Sequence, residues 1–411
     1  MVIHFEGYML HYYKNSLLSL FRQIKIVKGN PQKYRKLCLS IQETLIKRIT
    51  YIEKRIRTLK INIKICKKEL RTKGAYPLAK EKSIRLKRRI KVNQSSIKQY
   101  QEILSIFRDI GDALAFIYID KWDIKPMSFK ETAGFISGKK GTRLERKCLR
   151  GAFEAGQVGL LNDVTHCLRY GDITVPRNGF FQVFELKSGR WKNTRENRQA
   201  NALKNVHEYL VTDRTDKLFG VESEIFRVSI HSDAVYYTNE INSLINDAVA
   251  EGVAYTEVEK GLIYYVAIRF EKYSLDKVIS LCRKKPIIAH LNQMIFLQMG
   301  GYCPVTLSIR DAGALYKFYA GQLIIIIAFD PSTIENVAEK RGYVAKFIED
   351  SDQAMVISSK RPSPTGPQSI FVGRHLFGRI FSEFLSPNWL LNEIVYKFES
   401  SPQPENEHIC V

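Results

Sequence analysis

The sequence lacks any apolar run long enough to cross a bilayer; the longest tight one, Leu323 to Phe329, has the length of a buried strand. The start, Met1-Val-Ile-His-Phe-Glu6, has no basic stretch leading into an apolar core, so neither a secretory signal nor a membrane partner is expected. The seven cysteines are odd in number and scattered, with no Cys-x-x-Cys pair. That argues against a disulfide framework and a structural zinc, and for a reducing, cytoplasmic setting. No His-Glu-x-x-His pair and no Gly-x-Ser-x-Gly elbow occurs, which removes the common zinc-protease and hydrolase signatures. Ser137-Gly-Lys-Lys-Gly141 has its glycines too close for a phosphate-binding loop and no Ser or Thr after the first lysine, so it reads as a flexible basic loop. His166 and Cys167 are adjacent and have no partner at metal-ligand spacing, so they read as core or loop residues.

Acidic residues are scarce in one place. Residues 22–98 hold 25 Lys and Arg against four acids, Glu43, Glu53, Glu69 and Glu81, and so carry +21 of the chain's net +22. Within this region Leu45, Ile49, Ile52, Ile56, Leu59, Ile63, Cys66 and Leu70 recur at alternating spacings of four and three, a heptad seam. Gly74-Ala-Tyr-Pro77 breaks it, and a second seam follows through Leu86, Ile90, Asn93, Ile97, Tyr100, Leu104 and Phe107. Two long helices joined by a short breaker predict an antiparallel coiled-coil hairpin, with Asn93 setting register. Basic residues such as Arg85, Lys87, Arg88, Arg89 and Lys91 fill the positions outside the seam. A rod with so few acids suits the phosphate backbone of nucleic acid, with an acidic partner protein, self-association or plain solubility as the other readings.

The rest of the 411 residues, 45% apolar and 11% aromatic over the whole chain, reads as folded, with two or three domains. A helix is expected over Thr142–Phe153. Two strand candidates follow, Asp172–Val175 and Phe180–Leu186, joined by the turn signal Pro176-Arg-Asn-Gly179. Glu185 and Lys187 are two apart and project to one face of a strand, so that Asp172, Glu185 and Lys187 can meet as a metal site with a cation beside it. A helix over Thr194–Leu210 and a strand over Ile225–Ile230 complete this middle region.

Gly-Asp, twelve residues, then Glu-x-Lys resembles the PD-(D/E)XK nuclease superfamily, the fold of many restriction endonucleases and Holliday-junction resolvases. The likeness covers roughly residues 135–235, with Gly171 standing where the literal motif has Pro. It implies an α/β fold with a restriction-endonuclease-like core, a mixed sheet flanked by helices. It further implies Mg²⁺ or Mn²⁺ held by Asp172, Glu185 and the carbonyl of Leu186, with Lys187 orienting the attacking water. A helix before the first strand often supplies a further Glu in that superfamily, which nominates Glu145; a surface ion pair is the ordinary alternative for such a residue. The helix after the motif often supplies a polar residue, which nominates Gln199, although Leu203 replaces the tyrosine of one branch's fuller signature.

The expected organisation is a basic helical arm over 1–110, a nuclease-like core over 111–235, and an α+β region over 236–411. In the last, Asn239–Glu251 reads as a helix stopped by Gly252, Leu262–Phe270 and Gln322–Phe329 as strands, and Asp330-Pro331 as a helix start. Ser358–Gln368 reads as a linker, and Phe371–Phe384 as an apolar segment packed on the body. Two functions follow. One is a metal-dependent nuclease acting on nucleic acid, with DNA favoured and RNA open, by analogy a prokaryotic defence or restriction-type effector, dimeric if it cuts both strands. The other is a non-catalytic binding or scaffold protein whose hairpin assembles partners.

Overall fold

The computed structural model describes residues 8–71, 79–128, 135–139, 141–177, 180–186, 194–215, 225–227, 230–268, 274–282, 286–294, 302–348, 353–360 and 369–400. The chain is mixed α/β, with long N-terminal helices and antiparallel sheets flanked by helices. It divides into two compact units, 1–203 and 204–411.

In the first unit α1 (Tyr8–Gly29), α2 (Arg35–Arg71) and α3 (Lys80–Tyr118) pack together. α2 and α3 run antiparallel, with Glu53 opposite Arg108 and Arg55 opposite Tyr100. The seams behave as expected: Leu45, Ile49, Ile52, Ile56, Ile63 and Cys66 are buried, as are Leu86, Asn93, Tyr100, Leu104 and Phe107. Leu59, Leu70, Ile90 and Ile97 are half-buried. Nothing in the sequence pattern assigns α1 a role, yet its Leu17, Leu20, Phe21, Ile24 and Val27 are fully buried.

α4 (Lys121–Ser128) and α5 (Thr142–Glu154) follow, then a sheet in the order β1 (Leu160–Leu161), β2 (Ile173–Arg177), β3 (Phe180–Phe184), antiparallel throughout. The register Arg177↔Phe180 closes the β2–β3 hairpin around Asn178 and Gly179, which lie outside the described residues. Pro176, expected in the turn, belongs to β2. β1 pairs only with Ile173 and Thr174, so at Pro176 the strand is an edge and its missing N–H leaves no ladder bond unmade.

Hairpin and sheet share one unit because α2 and α3 reach into the sheet's connections. Gln42 of α2, buried, donates to the carbonyl of Gly159 at 2.8 Å and accepts from the amide of Leu161 at 2.8 Å, serving β1 as a neighbouring strand would. On α3, Gly111 lies so close to the next connection that a Cβ would fall 2.0 Å from the carbonyl oxygen of Val164. The boundary expected at 110/111 therefore falls inside α3, and that at 235/236 inside the second unit.

α6 (Thr194–Thr212) carries the chain across the division between the units. The strand expected over 225–230 is present as β5 (Ile225–Phe226), which pairs with β4 (Arg214–Thr215) in a ladder of its own. The mixed sheet anticipated for the core is therefore not seen among the described residues: β1–β2–β3 is a three-strand meander, and short connections force antiparallel neighbours.

The second unit is built on a four-stranded antiparallel sheet in the order β6 (Val253–Glu259), β7 (Leu262–Ile268), β9 (Leu323–Phe329), β8 (Ile287–His290). β9 is the apolar run singled out in the sequence; all seven of its residues are buried. α7 (Thr238–Glu251) ends at Gly252, whose φ of +92° supplies the left-handed stop that glycine adopts readily. Asp330 caps the helix Pro331–Lys340 by accepting from the amide of Ser332. β10 (Tyr343–Phe347), β11 (Gln353–Ser359) and β12 (Ser369–Gly373) form a further meander, so Ser358 and Ser359, expected in a linker, end a strand. Phe377, Phe381 and Phe384 are buried, as expected of the aromatic segment. No helix among the described residues is long and apolar enough to cross a membrane.

Candidate metal centre

Asp172 stands one residue before β2 and is held from two sides. Its amide donates to the carbonyl of Phe184 at 2.8 Å, and its Oδ2 accepts from the amide of Leu186 at 2.8 Å. Gly171 makes this clamp possible. Its φ is +69°, and a Cβ there would fall 2.4 Å from Val183 Cγ1 and 2.9 Å from the Phe184 oxygen. Proline, locked near φ −65°, could not take this place, which gives a physical reason for the departure from the literal motif. Glu185 follows β3 directly, half-buried, between the two residues whose backbone holds Asp172.

Three carboxylates from three segments converge on one ammonium. Lys139 Nζ lies 3.0 Å from Glu145 Oε1, 2.8 Å from Asp163 Oδ2 and 2.9 Å from Asp172 Oδ1. Glu145 sits in the first turn of α5 but is only 2% exposed, so it belongs to this cluster rather than to the surface. Gly141 leaves it room, since a Cβ there would come 2.9 Å from Glu145 Oε1. Burial pushes the Glu145 carboxyl up; Lys139 draws it down, the neighbouring Asp172 and Asp163 push it up, and the net direction is upward. For Lys139 burial acts downward, but Asp163, Asp172 and Glu145 outweigh it and hold the ammonium charged. Glu145 Oε2 is buried and has no hydrogen-bond partner among the described residues.

Asp163, in the 3-10 turn Asn162–Val164, was not anticipated from the sequence. It matches no motif position, and only the fold of the turn brings it in. Lys139 is expected in a flexible basic loop; instead the turn before it is docked on α2. The Ser137 amide donates to Glu53 Oε2 at 2.7 Å, and Arg57 Nη2 donates to the Ser137 carbonyl at 2.7 Å. Glu53, fully buried, also faces Arg108 at 3.4 Å. Basic arm and acidic cluster are thus joined through a buried carboxylate. Replacing Glu53 by Ala removes a buried carboxylate that faces Arg108 and takes away the acceptor of the Ser137 amide, and should lower unfolding stability by about 1–3 kcal/mol in a urea titration.

Of the other nominated residues, Lys187 lies outside the described residues. Gln199 lies in α6, and its side chain is likewise outside them. Asp109 and Asp112, one turn apart on α3, come together with His166, their ligand atoms within 4.8 Å of one another. His166 and Cys167 are loop residues, Cys167 buried, as expected; the grouping of His166 with the two acids was not expected, because sequence spacing cannot show a contact made between helix and loop. Asp112 Oδ1 already accepts from the amides of His166 at 2.6 Å and Cys167 at 3.0 Å, so it serves to fasten that loop to α3. Burial lowers the His166 pKa, opposed by Asp112 and aided by Arg108 and Arg169.

No protein-family description matches this chain, and comparison with curated proteins and with solved structures returned no match.

Proposed function

We propose that the first unit is a metal-dependent nuclease of the PD-(D/E)XK kind, acting on DNA. The observation that carries the reading is the convergence of Glu145, Asp163 and Asp172 on one cation position, with Asp172 clamped to the segment bearing Glu185 and Leu186. The residues fit a hard divalent ion: the donors are all oxygen, and Glu145 Oε2 is a buried acceptor without a partner among the described residues. Asp172, Glu185 and the Leu186 carbonyl would hold Mg²⁺ or Mn²⁺, with Glu145 beside them. When bound, the ion supplies an activated water at neutral pH and charge stabilisation at the phosphate. Lys187 would orient that water and offset the developing negative charge. Gln199 would assist from α6.

The arm supplies the grip. Lys60, Lys64, Lys67, Lys68 and Arg71 line one groove along α2, with Ile63 among them. Lys60, Lys64, Lys67 and Arg71 stand four, three and four apart, with Lys68 four after Lys64, which keeps the row on one side over about 16 Å of helix. Phosphates bound there would release counterions without reading sequence. Changing Lys64, Lys67 and Lys68 to Gln should weaken DNA binding equally for unrelated sequences. In fluorescence anisotropy against KCl, the slope of log K on log salt should shrink by about 0.9 for each duplex phosphate that is no longer neutralised.

A second reading has one observation in its favour: Lys139 already answers the three acids, as it would in a non-catalytic scaffold with a nuclease-like core. A cleavage assay separates the two. Purified protein is offered plasmid, single-stranded DNA and RNA with Mg²⁺ or Mn²⁺, beside EDTA controls and the Glu185→Ala and Lys187→Ala variants. Metal-dependent cutting lost in both variants supports the nuclease. Intact binding without cutting by any protein favours the scaffold.

A further inference from the structure

Lys139 occupies the position at which a cation would meet all three acids. We propose that it is the pocket's resident counter-cation, and that a divalent ion loads by displacing its ammonium from Glu145, Asp163 and Asp172, making Asp163 a ligand of the loaded site. This rests on reading the pocket as a metal site and adds how that site is kept before loading.

An ammonium has three N–H donors, and here three carboxylates stand within 3.0 Å of it. That leaves Glu145 Oε2 with nothing to accept from among the described residues. A divalent ion takes about six oxygen ligands and can engage an oxygen the lysine does not reach. Charge also favours the exchange. Three carboxylates and one ammonium leave the pocket two negative charges in excess, whereas exchange for a divalent ion leaves one. The Ser137 backbone is fixed to Glu53 and Arg57, while the Lys139 side chain is 35% exposed, so its stem has a route to solvent that needs no backbone movement. Lys139 would then hold the acids together in the metal-free protein at the cost of competing with the ion. It is a positioning residue, and Asp163 is the acid whose role it discloses.

The test is Mn²⁺ binding by the full-length protein, measured by calorimetry and by the thermal midpoint with and without Mn²⁺, for wild type, Lys139→Met, Lys139→Gln and Lys139→Arg. Far-UV circular dichroism checks folding, with Lys139→Gln as the polar substitute should Lys139→Met fail to fold. Removing the ammonium is expected to tighten Mn²⁺ binding about tenfold or more. It should also lower the metal-free midpoint and enlarge the rise on adding Mn²⁺. Lys139→Arg, which keeps the charge, should bind like wild type. Asp163→Asn placed on Lys139→Gln should weaken binding again.

Equal or weaker Mn²⁺ affinity on removing the ammonium, or no uptake by any variant at millimolar Mn²⁺, overturns the displacement. Unchanged affinity in the Asp163→Asn double variant removes Asp163 from the ligand set. The nuclease reading fails separately. Tight Mn²⁺ binding by Lys139→Gln with no cleavage by any protein keeps the counter-cation and loses the nuclease, while wild-type cleavage with equal affinities does the reverse.

Discussion

Replacing Asp172 by Asn is expected to cut metal-dependent cleavage by about a hundredfold or more, since loss of even an outer partner of a metal ligand costs about 10–100-fold. The substitution removes one negative charge and keeps the shape. Asn still offers an oxygen to the Leu186 amide, which Asp172 Oδ2 now satisfies at 2.8 Å, so the β2–β3 clamp should survive. What it cannot do is place an anionic oxygen where Asp172 Oδ1 meets the shared cation position. DNA binding through the arm should stay within about twofold, because counterion release depends on the lysines and arginines rather than on this carboxylate. The comparison needs both measurements on the same preparation, with circular dichroism to show that the fold is kept. Full cleavage by Asp172→Asn would place the chemistry elsewhere. Loss of cleavage and binding together would mean that the variant had unfolded.

Gly111→Ala should be strongly destabilising. In a helix interior Gly costs about 1 kcal/mol relative to Ala, so propensity alone favours the substitution. Packing reverses the sign. A Cβ at 111 would stand 2.0 Å from the Val164 oxygen and 2.8 Å from its carbon, both backbone atoms that no rotamer change can move aside. The turn carrying Asp163 would have to lift off α3, taking with it the bonds from Asp112 to the amides of His166 and Cys167. We expect a loss of about 3 kcal/mol or more in urea unfolding, at or beyond the upper end for overpacking. Gly151 of α5 is the control, since a Cβ there meets nothing within 4 Å. Gly151→Ala should therefore stabilise by about 0.5–1 kcal/mol. Similar effects at the two positions would contradict the close approach at Gly111.

The sequence shows the importance of Asp172 and Gly111 unequally. Asp172 could be named from its spacing to Glu185, and Glu145 from its place in the helix before the strands, because motif spacing follows the chain. Gly111 carries no local signal: inside a helical pattern it reads as an ordinary weak spot, and its approach to Val164 exists only after folding. Asp163 and Lys139 carry no local signal either. One lies in a short turn and the other in a run of basic residues, and Lys139 meets Asp163 and Asp172 across 24 and 33 positions of chain. The buried Glu53 looked like one of four acids lost among 25 basic residues. Its role in seating Ser137 comes from a hydrogen bond spanning 84 positions.

Local pattern was enough to set some of the elements. Heptad spacing gave α2 and α3 their seam, the unbroken apolar run Leu323–Phe329 gave a strand covered on both faces, and Gly252 and Asp330 marked a helix end and a helix start. Each is a consequence of backbone period, side-chain burial and capping, and so can be read along the chain. Folding in three dimensions was needed to establish that α1 completes the helical packing, that the arm and the sheet form one unit, and that β5 pairs with β4. The same holds for the place of Lys139 among Glu145, Asp163 and Asp172. These depend on which distant surfaces exclude water against each other and which buried charges must be answered, and no sequence period encodes a pairing between residues far apart in the chain.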